Sequence, residues 1–389
     1  LKQAGIESYA DIVLNHKMGA DAIQTIPATK VDWTNHNQEN YQKETVKVAT
    51  KFTFPGRKHK YSDFEWNWTD FDGIDYNNQT GENAIFKFVN KKWGEEVDDE
   101  YGNYDYLMGA DLDFSNPRVV KECTDWGKWY LNFTKVDGFR LDAVKHIDAN
   151  FYRDWIKELR NETKKELFAV GEYWSTDVNK LHKYITETNG NISLFDVPLH
   201  YNFYNASRDE NYDMSKILEH TLVKENPCKA VTFVDNHDTQ PGQALQSFVE
   251  NWFKPIAYSI ILLRNDGYPC VFYGDYYGIP HDNIEPMNDL KTLIQIRKEK
   301  SYGMQHDYLD NNNYIGWTQE GDDEHIKSGI AVVISTAGDG YKRMYVGNQN
   351  VGEVYIDALD NCQEEIIIEE DGCANFNVKG KSVSIWVKK

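Results

Sequence analysis

Short runs of apolar residues that end in polar or charged side chains recur along the chain, at Tyr9 to Leu14, Val136 to Leu141, Leu167 to Gly171, Ile192 to Val197, Ala230 to Val234 and Cys270 to Tyr273. Each has the length of a strand. Between them lie amphipathic stretches of helical length, such as Val119 to Phe133, Asn150 to Lys165 and Trp252 to Leu263. This alternation predicts an α/β protein with six parallel strands.

The spacing of the strand ends locates an insertion. Consecutive strand–helix units need about 30 residues, and the step from Asp142 to Glu172 fits one unit. From Asp11 to Asp142 the interval is 131 residues, so a separate module is expected after the first strand. That stretch is rich in Trp, Asp, Asn and Gly. Its segments Trp66 to Asn78 and Asn103 to Pro117 read as loops and short strands. After about residue 302 alternating strands take over, for example Gly329 to Ser335, Arg343 to Val346, Glu353 to Ile356 and Ser382 to Val387. The expected division is therefore 1–14 and 118–302 for the α/β part, 15–117 for the insert and 303–389 for an all-β C-terminal domain.

Charge and composition narrow the partners. The 389 residues carry 42 Lys and Arg against 62 Asp and Glu, a net charge of −20. Such a field repels polyanions, which argues against nucleic acid and anionic membrane surfaces. The longest apolar stretch, Ile256 to Leu263, is less than half of the ~20 residues that a membrane-spanning helix needs. Aromatic residues make up 14% of the chain, a supply either of flat faces for pyranose rings or of an aromatic-rich core. Five Cys with no C-x-x-C pair give neither a zinc site nor a disulfide framework. Cys362 and Cys373 could pair across a hairpin, but free thiols are expected. No targeting pattern is legible at the N-terminus, and the chain reads as the interior of a longer gene.

Four strand ends carry carboxylates or imidazoles: DIVLNH at Asp11 to His16, GFRLDAVKH at Gly138 to His146, GEYW at Gly171 to Trp174, and FVDNHDT at Phe233 to Thr239. In an eight-stranded α/β barrel the C-terminal strand ends form the active-site rim, so these groups are expected to converge. Strand periodicity puts Arg140 and Asp142 on one face and turns Leu141 away. A guanidinium there would keep the carboxylate ionised and oriented, as a nucleophile requires; a structural ion pair is the alternative. Glu172 follows an apolar strand and precedes two aromatic residues, so desolvation suits it to a general acid, against the alternative of a solvated rim residue. Asn236, His237 and Asp238 follow a strand that is apolar up to Val234; His237 with Asp238 reads as a sugar-gripping pair, against the alternative of a capped loop.

With these residues in place, the sequence resembles the α-amylase family of retaining glycosidases, and within it the liquefying bacterial type. The four motifs match the family's signature regions in order and spacing, and the stretches WFKPIAYSIIL, GNYDYLMGADLDF, FPGRKHKYSDFEWNW and FDVPLHYNF are similar too. The resemblance implies a (β/α)8 TIM barrel with an inserted β-rich domain and a C-terminal Greek-key sandwich. It implies endo-hydrolysis of α-1,4-glucans by a monomer. Asp142 matches the nucleophile, Glu172 the acid/base and Asp238 the third carboxylate. His16, Arg140, Lys145, His146, Trp174 and His237 match substrate-side positions, and Asp11 a supporting carboxylate. Retention predicts the Asp142 and Glu172 carboxyl groups ~5 to 5.5 Å apart. A structural calcium ion is implied, held by Asn15, Asp105, Asp111 and the backbone carbonyl of His146, with Asp72 nearby.

The sequence departs from the family at several points. Gly94 and Ser115 occupy positions that carry further metal-binding aspartates in relatives, which argues against a second calcium and its companion sodium. Asn313 and Thr336 stand where another site would need aspartates. A closed barrel needs eight strands, and the chain enters the family's third strand at Tyr9, so the first two strand–helix units are expected to be absent and the sheet to have an exposed edge. The alternatives are a catalytically impaired glucan-binding protein on the same fold, or a related α-glucosidase or transglycosylase. All three carboxylates are present, which favours the enzyme. An extracellular site of action is favoured over a cytoplasmic one because starch is usually met outside the cell.

Overall fold

A computed structural model describes residues 1–389. It divides into two compact units, one of 1–175 with 179–194 and the other of 176–178 with 195–389.

In the first unit the strand Gly138–Leu141 pairs in parallel with Tyr9–Ile12 on one side and Phe168–Gly171 on the other. Ser193–Phe195 continues the ladder beyond Phe168–Gly171. These are the first four predicted strands, each shortened by one to three residues. Gly138 is required by close approach: a Cβ there would lie 2.3 Å from the Phe168 carbonyl and 2.6 Å from the Tyr9 ring. Tyr9 is half-exposed, as an edge position should be.

The helix Pro117–Thr134 starts where Asn116 caps the Arg118 N–H and proline occupies the first turn. It buries Val119, Cys123, Gly127 and Leu131, four residues apart, on one stripe. That stripe meets the helix Ala149–Thr163, whose Trp155 indole donates to the Cys123 carbonyl at 3.1 Å. Helical periodicity had marked both helices to within two residues.

The insert is a six-stranded antiparallel sheet, in the order His16–Lys17, Ala110–Leu112, Phe71–Asn77, Glu82–Phe88, Ala22–Asp32, Asn35–Lys51. The last two form a long hairpin that the sequence did not announce. Its turn is held by the Asp32 carboxylate, which accepts from the Thr34 N–H at 2.7 Å and from the Thr34 hydroxyl at 2.6 Å.

In the second unit Ala230–Phe233 runs parallel to Tyr268–Cys270. The latter strand corrects an expectation. It was read at Cys270 to Tyr273, but Tyr273 starts a short helix, Tyr273–Tyr277. The helices Val197–Arg208, Lys254–Leu263 and Leu290–Glu299 complete the α/β part. From Gln305 onward the chain is all β, as predicted. Six strands form one antiparallel sheet, and Gly340–Tyr345 with Cys373–Val378 forms a second. A core of Val333, Met344, Phe376 and Trp386 draws on both sheets. All five cysteines are free, so Cys362 and Cys373 do not pair. No helix is long and apolar enough to cross a membrane.

A buried histidine gives this unit a measurable pH response. The His200 ring nitrogens lie 2.6 Å from the Val234 carbonyl and 2.8 Å from the Ser247 hydroxyl. Burial pushes its pKa from 6.5 down to about 4. The fold therefore favours the neutral ring, so its contribution is present above pH 6.5 and is lost as the pH falls toward 4. Denaturant titrations should show the native protein losing about 3 kcal/mol more than His200→Gln between neutral pH and pH 4. Parallel pH profiles for the two would contradict this.

Candidate active site

Three adjacent parallel strands of the first unit end at one rim. Asp11 is level with Arg140, and Arg140 with Val170. Backbone bonds extend one residue past the strands, with the Asp142 N–H donating to the Ile12 carbonyl at 3.1 Å and the Glu172 N–H to the Leu141 carbonyl at 2.9 Å. Asp142 and Glu172 are thus fixed at neighbouring strand ends. Leu141, between Arg140 and Asp142 in the chain, is fully buried, as strand periodicity predicted.

The Arg140 guanidinium joins three carboxylates. Nη1 donates to Asp142 and, at 2.8 Å, to Asp11, while Nη2 lies 2.9 Å from Glu172 Oε2. Burial alone would lower the Arg140 pKa, but Glu172, Asp142 and Asp11 outweigh it and push it up. A planar, permanently charged fork suits this task because it holds two carboxyl groups in fixed relation. Sequence reasoning anticipated the Arg140–Asp142 pair and missed Glu172 as its second partner. Glu172 is buried, as expected from its apolar approach.

Immediately after Asp142 the chain adopts a left-handed conformation at Ala143, with φ of 49° and ψ of 39°. A non-glycine residue there costs about 1–2 kcal/mol, a strain typical of positions that a site dictates. The turn directs the Ala143 N–H toward Glu172 Oε2 at 3.4 Å and starts the short helical turn Val144–His146.

That turn carries Lys145 and His146. The Lys145 ammonium donates to Glu100 at 2.7 Å and to the Trp174 carbonyl at 3.1 Å, and it lies 4.8 Å over the Tyr104 ring. His146 Nδ1 is 2.7 Å from the Tyr104 carbonyl. Burial, with Lys145 adding to it, pushes the His146 pKa down to about 3, so the ring is neutral. Trp174, partly exposed, follows Tyr173, whose hydroxyl donates to Asp98 at 2.5 Å. Asp98, Glu100 and Tyr104 come from the insert and were not anticipated. His16 is half-buried; burial lowers its pKa, while the charge of Asp142 raises it.

Asp238 and His237 belong to the second unit, past the end of Ala230–Phe233. His237 Nε2 is 3.2 Å from Asp238 Oδ2, and both side chains reach solvent. Asn236 serves the turn, as the capped-loop alternative had it. Its side-chain oxygen accepts from the Asp238 and Thr239 N–H groups, each at 2.9 Å, and so forms the turn on which Asp238 sits.

A separate constellation lies in the insert. One carboxylate oxygen from each of Asp72, Asp105 and Asp111 falls within 4.8 Å of the others. All three residues are buried, and Asp72 Oδ1, Asp105 Oδ2, Asp111 Oδ2 and Asn15 Oδ1 have no hydrogen-bond partner. Asn15 Nδ2 meets Asp111 at 3.3 Å. Burial pushes Asp105 up to about 7 and raises Asp72 and Asp111 as well, each with further repulsion from neighbouring aspartates. Oxygen donors from scattered segments are the kind that a hard divalent cation takes. Asp113, by contrast, is paired with Lys91. At Gly94 a Cβ would come 2.7 Å from Asp105 Oδ1, so a larger side chain there would displace Asp105.

Comparison with known proteins agrees with this geometry. The family described as "Alpha amylase, catalytic domain" matches residues 1–328. An alpha-amylase of Geobacillus stearothermophilus is 52% identical over 390 residues, covering 99% of this chain and 71% of that protein. A cytoplasmic alpha-amylase of Escherichia coli (strain K12) is 42% identical, covering 100% and 81% respectively. Among solved structures, that of CldA, a cyclomaltodextrin glucanotransferase with a three-domain ABC distribution, covers 99% of this chain and 76% of its own with a TM-score of 0.63. At 19% identity that likeness speaks for the fold alone.

Proposed function

Since the chain belongs to the alpha-amylase family, we propose that it cuts internal α-1,4-glucosidic bonds of starch-like glucans with Asp142 as nucleophile and Glu172 as general acid/base. The observation that carries this reading is the Arg140 guanidinium shared by Asp142 and Glu172 at adjacent strand ends. A double displacement needs the two carboxyl groups ~5 to 5.5 Å apart, and one planar fork contacts both.

In the first step the protonated Glu172 gives its proton to the glycosidic oxygen while Asp142 attacks the anomeric carbon. In the second, Glu172 takes a proton from water, which hydrolyses the glycosyl-enzyme. Arg140 aims Asp142. Asp238 and His237 are assigned to binding of the distorted sugar, His16 to a glucose unit, and Lys145, His146 and Trp174 to the leaving-group side. The alternative of an impaired glucan-binding protein is disfavoured because the sequence carries all three carboxylates.

We also assign a calcium ion to Asn15, Asp105 and Asp111, with Asp72 and the His146 carbonyl as further donors. It would cross-link the strand-end segment at Asn15 to the insert, a structural rather than chemical role. The partition of the chain at 14/15, 117/118 and 302/303 is part of the same proposal. So is action outside the cell, although the E. coli relative is described as cytoplasmic.

The anomeric configuration of the first product tests the mechanism. NMR of early hydrolysis of a maltooligosaccharide should show the new reducing end in the α form before mutarotation. For Glu172→Ala, added azide should speed turnover of an activated α-glucosyl fluoride, because that substrate needs no acid and the small anion needs no base. A β product would refute double displacement.

A further inference from the structure

Behind the turn that carries Asp238, the second unit buries a charge cluster that the mechanism above does not use. Asp235, Lys254 and Asp275 are all buried, at 2%, 3% and 2% exposure. The Lys254 ammonium is 3.0 Å from Asp235, donates to Asp275, and lies 3.5 Å over the Phe248 ring. The Tyr258 hydroxyl donates to the other Asp275 oxygen at 2.6 Å and accepts from the Phe272 N–H at 3.3 Å. One cation thus faces two carboxylates in the interior. The excess charge is felt at Asp235, which burial pushes up to about 7 against the pull of Lys254.

Stability does not call for such a cluster. Apolar side chains of similar volume generally hold a core as well as a buried ion group or better, because removing charges from water cancels their attraction. What an ion cluster can supply is fixed direction, and here the direction leads to the Asp238 turn. Asp235 Oδ1 accepts the Thr239 hydroxyl at 2.9 Å, and the carboxylate also receives the Val249 N–H at 3.3 Å. The Thr239 oxygen in turn accepts the Asn236 N–H at 3.0 Å. Two further backbone bonds close the loop: Leu245 N–H to the Asp238 carbonyl at 3.2 Å, and Ser247 N–H to the Thr239 carbonyl at 3.0 Å. Thr239 is fully buried, so its hydroxyl has no water to turn to.

We propose that Asp235, anchored by Lys254 and Asp275, is a positioning residue that acts through the Thr239 hydroxyl to aim Asp238 at the substrate. The proposal rests on the reading of Asp238 as the third carboxylate. Thr239→Val keeps volume and removes the hydroxyl, whereas Thr239→Ser keeps the hydroxyl and removes a methyl group. Asp235→Asn is the second variant; it leaves Lys254 and Asp275 as a balanced pair, so the core survives, but it turns an amide donor toward the ammonium.

Thr239→Val and Asp235→Asn should lower kcat on a maltooligosaccharide by about tenfold to a hundredfold, the scale of an ångström-sized misplacement, with KM unchanged. Thr239→Ser should restore kcat. Amide hydrogen exchange over 235–249 should quicken by about tenfold in Thr239→Val and not in Thr239→Ser. Equal kcat loss in the Val and Ser variants, or unchanged exchange and kcat in Thr239→Val, would overturn the proposal. Asp238→Asn run alongside keeps the two ideas apart: full activity there refutes the role of Asp238, and the exchange data still judge the anchoring.

Discussion

Asp142→Asn is expected to lower kcat on starch by on the order of 10⁴-fold with little change in melting temperature. The amide matches the carboxylate in shape but cannot attack an anomeric carbon, so the covalent step is lost rather than slowed by misfit. Loss of a nucleophile on this scale is worth about 5.5 kcal/mol in the barrier. The fold should tolerate the change. Asp142 keeps its backbone bond to Ile12, its side chain is 22% exposed, and Arg140 retains Asp11 and Glu172 as partners. A charge-neutral group beside Arg140 still leaves two carboxylates around one guanidinium. Initial rates on soluble starch together with thermal melts check both halves. A variant with a tenth of the native rate would remove Asp142 from the mechanism. One that melts far below the native protein would mean that the carboxylate is structural, which is the ion-pair reading that the sequence alone left open.

How far that site could be read in advance depended on whether its contacts follow the chain's own period. Arg140 and Asp142 were legible because strand alternation dictates that residues two apart share a face, and the structure has them in contact with Leu141 buried between. The contact of Arg140 with Glu172 was not, since it depends on the register of two parallel strands, which no local pattern encodes. The same holds for Lys145 and Glu100, 45 residues apart and joined only by folding of the insert.

Among the elements, the helix Pro117–Thr134 announced itself through proline at its start and an apolar stripe, whereas the strand Tyr268–Cys270 was displaced in the reading. The run from Tyr268 to Tyr273 is apolar throughout and so has no period to show where strand ends and helix begins. The long hairpin of Ala22–Asp32 and Asn35–Lys51 was hidden for the opposite reason. Over much of Asn35–Lys51 both faces are polar or exposed, and only Val46, Val48 and Thr50 mark a buried side near its end. Asn236 stayed between two readings because a side chain that caps its own turn looks, in sequence, like one offered to a ligand.

Removal of calcium should produce the largest change in stability. Three clustered, buried aspartates and Asn15 each carry an unpartnered oxygen, an arrangement that costs several kcal/mol of desolvation and repulsion unless a cation offsets it. A site that binds only the folded chain stabilises it by about 4 kcal/mol when free calcium stands a thousandfold above its dissociation constant. At roughly 2 °C or slightly more per kcal/mol for chains of this size, stripping with excess EGTA should lower the melting temperature by about 10 °C. Re-added calcium should restore it. Magnesium should not, because it demands near-octahedral geometry at short distance and gives up its waters reluctantly. Asp111→Asn should melt low in calcium and be indifferent to the chelator, since the ligand has gone and one negative charge with it. All the ligand side chains lie in the first unit, so hydrogen exchange should speed up there and leave the β-sandwich after residue 303 unchanged. Identical melting curves with and without EGTA, on protein dialysed free of metal, would show that the four oxygens hold no calcium.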